Sequence, residues 1–184
     1  MELIARTMGG HIESTNIEGD QTYETGGGHI TLERLTGDVI AISGGGHIQI
    51  EDIIGDVTFK TTGGHLKVQN CTGDVTLKTE GGNIELEEIE GEIIASTNAG
   101  NIAIQLTSFS DDITAETFAG NFQLILPTSS EATFDLQASN VVELKNLTFQ
   151  GDKSKAKAKG NINGGGSEVI AFTKYGKVTI IGKN

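Results

Sequence analysis

The sequence predicts an all-β fold: a single-domain parallel β-helix, or β-solenoid, of about ten turns of about 18 residues, with two short strands per turn. Three observations predict it. The word Gly-Gly-His-Ile recurs on a fixed step, with His11, His29, His47 and His65 each 18 positions apart and Asn83 and Asn101 continuing the series. A second word, Gly-Asp-Val, falls midway, so that Asp20, Asp38, Asp56, Asp74 and Glu92 each follow nine residues later. The 26 glycines keep register with both words, while the 184 residues contain only one proline. A short fixed period means stacked copies of one turn, each burying its apolar face on its neighbours.

The first half-turn reads Gly-His-Ile-x-Leu-x-x-Leu, as in Gly28, His29, Ile30, Leu32 and Leu35. The second reads Gly-Asp-Val-x-apolar-x-Thr, as in Gly55, Asp56, Val57, Phe59 and Thr61. Each holds a period-2 stretch too short for a helix, so each is a strand with one face inward. The inward columns are then Ile12/Ile30/Ile48/Leu66/Ile84/Ile102, Leu32/Ile50/Val68/Leu86/Ile104 and Val39/Val57/Val75/Ile93/Ile113. A fourth, Ile17/Leu35/Ile53/Cys71/Ile89, closes the corner, which makes Cys71 a small buried hydrophobe. Glycine marks the corners, where positive φ or close backbone approach is needed. Thr7, Thr25, Ser43, Thr61, Thr79, Thr97 and Thr117 form a hydroxyl column whose parity puts it inside, capping the turn by hydrogen bonds. The outward positions Ile40, Thr58, Thr76 and Ile94 are too mixed for a flat ice-binding threonine array.

The chain enters in mid-turn, with Glu2, Leu3, Ala5 and Thr7 in register with Asp20, Gln21, Tyr23 and Thr25. Solenoids normally carry end caps, so this implies a trimmed chain or an end-to-end homodimer. After Asn101 the step slips to 20, delaying Asp112 and Asn121, and Phe109 is expected at the corner. One domain is expected over 1–184, with regular turns over 1–126 and irregular turns plus a C-terminal turn or cap over 127–184. At the end the word returns: Glu168, Val169, Ala171, Thr173, Gly176, Val178 and Ile180 match the step beginning at Glu92.

The net charge of −12 argues against nucleic acid or an anionic membrane as the main partner, since both call for a basic face. No apolar run is long enough to span a membrane, and no signal peptide precedes the first repeat. Localisation is then the cell envelope or exterior if an upstream signal was trimmed, and the cytoplasm otherwise. One cysteine excludes an internal disulfide framework.

Three ladders are candidate sites. His11, His29, His47 and His65 stack outward and could share Zn²⁺, Ni²⁺ or Cu²⁺, or instead hydrogen-bond the next turn as Asn83, Asn101 and Asn121 would. Asp20, Asp38, Asp56 and Asp74 could hold Ca²⁺ between turns, or accept turn N–H groups. The Gly-Asp-Val order departs from the Ca²⁺-binding nonapeptide word, and a collinear histidine ladder suits tetrahedral coordination poorly, so no metal or cofactor is expected. Lys153, Lys155, Lys157 and Lys159 alternate as on one strand, either protecting a sheet edge or docking an anionic partner. There is no nucleophile–base constellation, and an 18-residue turn leaves little chain for a catalytic cleft, so an enzyme is not expected.

The alternating Gly-Asp-Val and Gly-[His/Asn]-Ile half-turns, with the tail Asn161-Ile162-Asn163-Gly164-Gly165-Gly166 before Ile170, Thr173, Gly176 and Val178, resemble the bacterial adhesin-like group of short-turn β-solenoid domains of unknown function. The resemblance covers nearly the whole chain and carries no catalytic residues with it. It implies a non-enzymatic binding or scaffold module presenting side-chain ladders to a protein or glycan at the bacterial envelope. The alternatives are an intracellular structural or regulatory solenoid that associates with itself and, less favoured, a glycan-active enzyme.

Overall fold

In a computed structural model that describes residues 2–184, both words of the repeat become strands of a two-sheet stack. The first coil is β1 (Leu3–Thr7) and β2 (Ile12–Glu18), the second β3 (Gln21–Thr25) and β4 (Ile30–Thr36). Next come β5 (Val39–Ser43) with β6 (Ile48–Ile54), and β7 (Val57–Thr61) with β8 (Leu66–Thr72). Then follow β9 (Val75–Thr79) with β10 (Ile84–Glu90), β11 (Ile93–Thr97) with β12 (Ile102–Gln105), and β13 (Ile113–Thr117) with β14 (Phe122–Pro127). These seven coils stack in chain order, each strand pairing in parallel with its counterpart one step away, as Val57↔Val75 and Ile48↔Leu66 illustrate. The fold is all-β and a β-solenoid, as the period requires.

The expected ten turns are too many. Seven coils follow chain order, and the rest of the chain breaks it. β15 (Ala132–Ala138) and β16 (Val141–Lys145) form the outermost rung, and an antiparallel hairpin of β17 (Phe149–Lys153) and β18 (Lys157–Ile162) closes over β15. The last coil, β19 (Ser167–Thr173) and β20 (Lys177–Lys183), returns and inserts beneath that rung. β19 lies between β13 and β15, and β20 between β14 and β16. Register accounts for the insertion: Val169 faces Ile113 and Phe134, and Ile180 faces Leu124 and Leu144. The returning word matches a regular coil, whereas β15–β16 is a poorer copy with a hairpin to shield its edge.

The predicted columns line a single core. Ile30, Ile48, Leu66 and Ile84 are fully buried, as are Val39, Val57 and Val75. Between the sheets, small Ala41 sits between large Tyr23 and Phe59 in one inward column, so neighbouring coils interdigitate there. Cys71 is buried in the same core, where desolvation, with Asp56 and Asp74 nearby, pushes its thiol up to about 12. Among the described residues no helix is long and apolar enough to cross a membrane.

Candidate functional site

Corners, rather than strands, present the outward chemistry. At the histidine corner each imidazole Nδ1 accepts the backbone N–H of the next coil: His29 to His11 at 2.9 Å, His47 to His29 at 2.9 Å and His65 to His47 at 2.8 Å. His65 does the same for Asn83, and Asn83 and Asn101 continue with Oδ1 as acceptor. Parallel strands leave this N–H outside the sheet ladder, and histidine and asparagine supply an acceptor at the same reach.

The rings stack at 4.8–4.9 Å with interplanar angles of 1–6°. A metal shared by two neighbours would need nitrogens within about 4.2 Å, twice a Zn–N bond of ~2.1 Å. The stacked rings are wider apart than that, and Nδ1 is committed to the backbone. Among the described residues no group of three or more His, Cys, Asp or Glu is placed to hold a metal ion.

Partial desolvation, with His65 and His29 beside it, holds His47 below its ordinary value of 6.5. The unfolded chain therefore takes up this proton at a higher pH than the folded one, and stability falls as the pH drops below 6.5 towards the folded value. A His47→Asn variant keeps the acceptor, as Asn83 does, and loses the titration. Melting curves between about pH 5 and 7.5 are expected to show wild type losing stability relative to the variant on acidification. Parallel profiles would refute the ladder as the cause.

The acidic corner works in the same way. Asp38, Asp56 and Asp74 accept the N–H of Asp56, Asp74 and Glu92 at 3.1, 2.9 and 2.9 Å, and Asp112 accepts that of Glu168 at 2.7 Å. Asp20 makes the longer bond to Asp38, 3.4 Å. Inside, the hydroxyl column ties coils together: Thr61 donates to Gly46 O at 3.0 Å and accepts from Gly64 N at 3.3 Å.

The third corner lies where the column Ile17/Leu35/Ile53/Cys71/Ile89 is expected to close the turn, but its backbone conformation was not anticipated. Asn16, Arg34, Asp52, Asn70 and Glu88 all adopt positive φ, between 54° and 60°, inside what reads as one strand. The bend reverses side-chain parity, which is how both Leu32 and Leu35 face inward three residues apart. Asparagine and aspartate favour this conformation and arginine and glutamate do not, so Arg34 and Glu88 blur the signature that Asn16, Asp52 and Asn70 carry.

This corner lines a groove of about 480 Å³. Leu35, Ile53 and Cys71 form its floor, and Ile54, 63% exposed, stands on one wall. On the other wall, Asn70 Nδ2 donates to Asp52 Oδ1 at 3.0 Å. Thr107 and Ser108 also line it, and Thr107 donates through N and Oγ1 to the Glu88 carboxylate. The slip in the repeat after Asn101 thus builds a loop against the groove, with Leu106 buried and Phe109 only partly so.

The four lysines do not share a strand. Lys153 ends β17, Lys155 lies in the hairpin turn, and Lys157 and Lys159 belong to β18. The Ser154 hydroxyl bonded to Lys157 N at 3.1 Å helps close that turn, reversing a chain whose alternation alone reads as continuous. Lys159 pairs with Asp135 at 2.8 Å, and β17 is the edge strand of its sheet.

No curated protein and no solved structure matches the chain. A family model, Toastrack DUF4097, matches residues 3–181, and the chain belongs to that family.

Proposed function

We propose that this protein is a non-enzymatic binding or scaffold module, a rigid solenoid that presents its third-corner groove to a protein or glycan partner at the bacterial envelope. The groove carries the reading. It combines an apolar floor, an exposed Ile54 and polar side chains repeated coil by coil, within the size range of ligand sites. The histidine and aspartate ladders are occupied in holding coils together, which supports a structural role for them. The envelope setting rests on the resemblance to adhesin-like domains.

Purified protein applied to glycan arrays and bacterial cell-wall fractions is expected to give a saturable ligand. Ile54→Arg is expected to weaken its binding at least about tenfold while leaving the melting temperature unchanged, because Ile54 lies outside the core. A ligand indifferent to Ile54→Arg, or none at all, would sink the groove reading.

A second reading, self-association through the β1 and β2 edges, is favoured by one observation. Ile4 and Arg6 alternate with residues bonded to β3, so their backbone groups face away from the stack. Light scattering would show dimers abolished by Ile4→Pro.

A further inference from the structure

The net charge of −12 conceals a polarity along the rod. Residues 1–126, the seven ordered coils, carry 5 basic and 20 acidic side chains, a net −15. Residues 127–184, the rung, hairpin and inserted coil, carry 8 and 5, a net +3. Backbone hydrogen bonds gather much of that positive charge at one edge of the closed end. The hairpin tip lies over the corner of the outermost rung, with Ala138 N donating to Ala156 O at 2.9 Å and Val142 N to Lys155 O at 2.8 Å. That corner sits on the corner of the inserted coil through Asn140 N to Gly176 O, 3.2 Å. The inserted coil in turn sits on the seventh coil through Tyr175 N to Phe118 O, 2.9 Å. Lys153, Lys155, Lys174 and Lys177 are thereby brought to one edge, all of them exposed. Lys177 and Lys153 lie near enough to Glu143 to reinforce Lys145, its 3.1 Å ion-pair partner, in holding that carboxyl below its usual range.

The same edge carries exposed aromatics. Phe118 and Tyr175 are 47% and 61% exposed and meet edge to face at 5.2 Å. Lys174 Nζ lies 4.6 Å from the Phe118 ring and 5.6 Å from that of Tyr175. Ammonium groups with half-exposed aromatic rings suit a bilayer interface, where lysine meets lipid phosphate and rings settle at headgroup depth.

We propose that this lysine–aromatic edge docks the closed end of the solenoid on an anionic lipid bilayer, with the acidic coils held away from it. Coils are spaced 4.8–4.9 Å apart, so only the seventh coil, with Asp111, Asp112 and Glu116, adjoins the inserted coil, and the first six lie about 10 Å or more from it. That exceeds the ~8 Å screening length at physiological salt, so the like-charged coils oppose docking little. A flat surface met end-on keeps clear of those coils, whereas a flexible polyanion would be repelled along them.

The test is co-sedimentation of the whole chain with vesicles of phosphatidylglycerol and phosphatidylcholine at 3:7, against phosphatidylcholine alone. Binding is expected only to the anionic vesicles, and it should fall as salt rises from about 50 to 300 mM. Lys153→Gln, Lys155→Gln, Lys174→Gln and Lys177→Gln together should weaken it at least about twentyfold, and the four Arg replacements should retain it. Tyr175→Ala should weaken it further without changing the salt dependence. Equal binding to neutral vesicles, no anionic binding at low salt, or weakening by the Arg set as large as by the Gln set would overturn the proposal. So would short soluble polyphosphate binding as tightly as the vesicles. Binding at the groove is independent of this edge, and Ile54→Arg should leave vesicle binding intact.

Discussion

Gly46→Ala is expected to destabilise the protein by about 3 kcal/mol or more, while Gly45→Ala, its neighbour, changes stability by less than ~1 kcal/mol. A Cβ on Gly46 would lie 1.9 Å from Gly28 O and 2.4 Å from its carbonyl carbon. Both are backbone atoms of the coil beneath, so no side chain can rotate away. Relief requires separating two coils joined there by Ile30 N to His47 O and His47 N to His29 Nδ1, each 2.9 Å. A Cβ on Gly45 meets nothing within 4 Å, and its φ lies outside the left-handed range. Urea denaturation of the two variants should therefore differ sharply, and equal effects would show that coil contact does not govern this corner. The same contrast recurs at Gly64 and Gly63, so two adjacent glycines of one word have unrelated physical roles.

Much of this architecture is legible in the sequence because a repeat reports every structural demand several times. Ile30, Ile48, Leu66 and Ile84 all occupy one inward position, so one accidental apolar residue cannot mislead. The hydroxyl column is legible for the same reason: parity alone places Thr25, Ser43 and Thr61 inside, where each bonds the coil beneath. At the third corner the inward column is legible, but the left-handed backbone beside it is not. Its conformation is imposed by packing on both sides, and Arg34 and Glu88 occupy it against their own preference.

Order in the stack is invisible for a different reason. Residues 168–180 match a regular coil wherever they sit, and only competition for neighbours decides between the end of the rod and the slot beneath β15–β16. The charge polarity is hidden because a total charge averages over it. The lysine row misleads because alternation cannot distinguish a strand from a hairpin whose turn keeps the same parity.

That slot makes the inserted coil the keystone of the closed end, and Ile180→Asp is the substitution that should remove it. Ile180 is fully buried between Leu124 on one side and Leu144 on the other, so a carboxylate there has neither water nor partner. An unpaired buried charge costs several kcal/mol. Among the described residues, β15 pairs with β18 and β19, β16 with β20, and β17 with β18. The closed end is therefore joined to β13 and β14 only through β19 and β20. In a stack where each unit contacts its neighbours, losing that link should free residues 127–184 and leave the first coils folded. Hydrogen exchange read by mass spectrometry is expected to show amide protection lost over 127–184 and retained across β3–β10. Ile170→Asp, in the same coil but 41% exposed on the outer face, should preserve protection everywhere. Uniform loss along the whole chain in Ile180→Asp would instead mean that the solenoid folds as one cooperative unit, with no keystone.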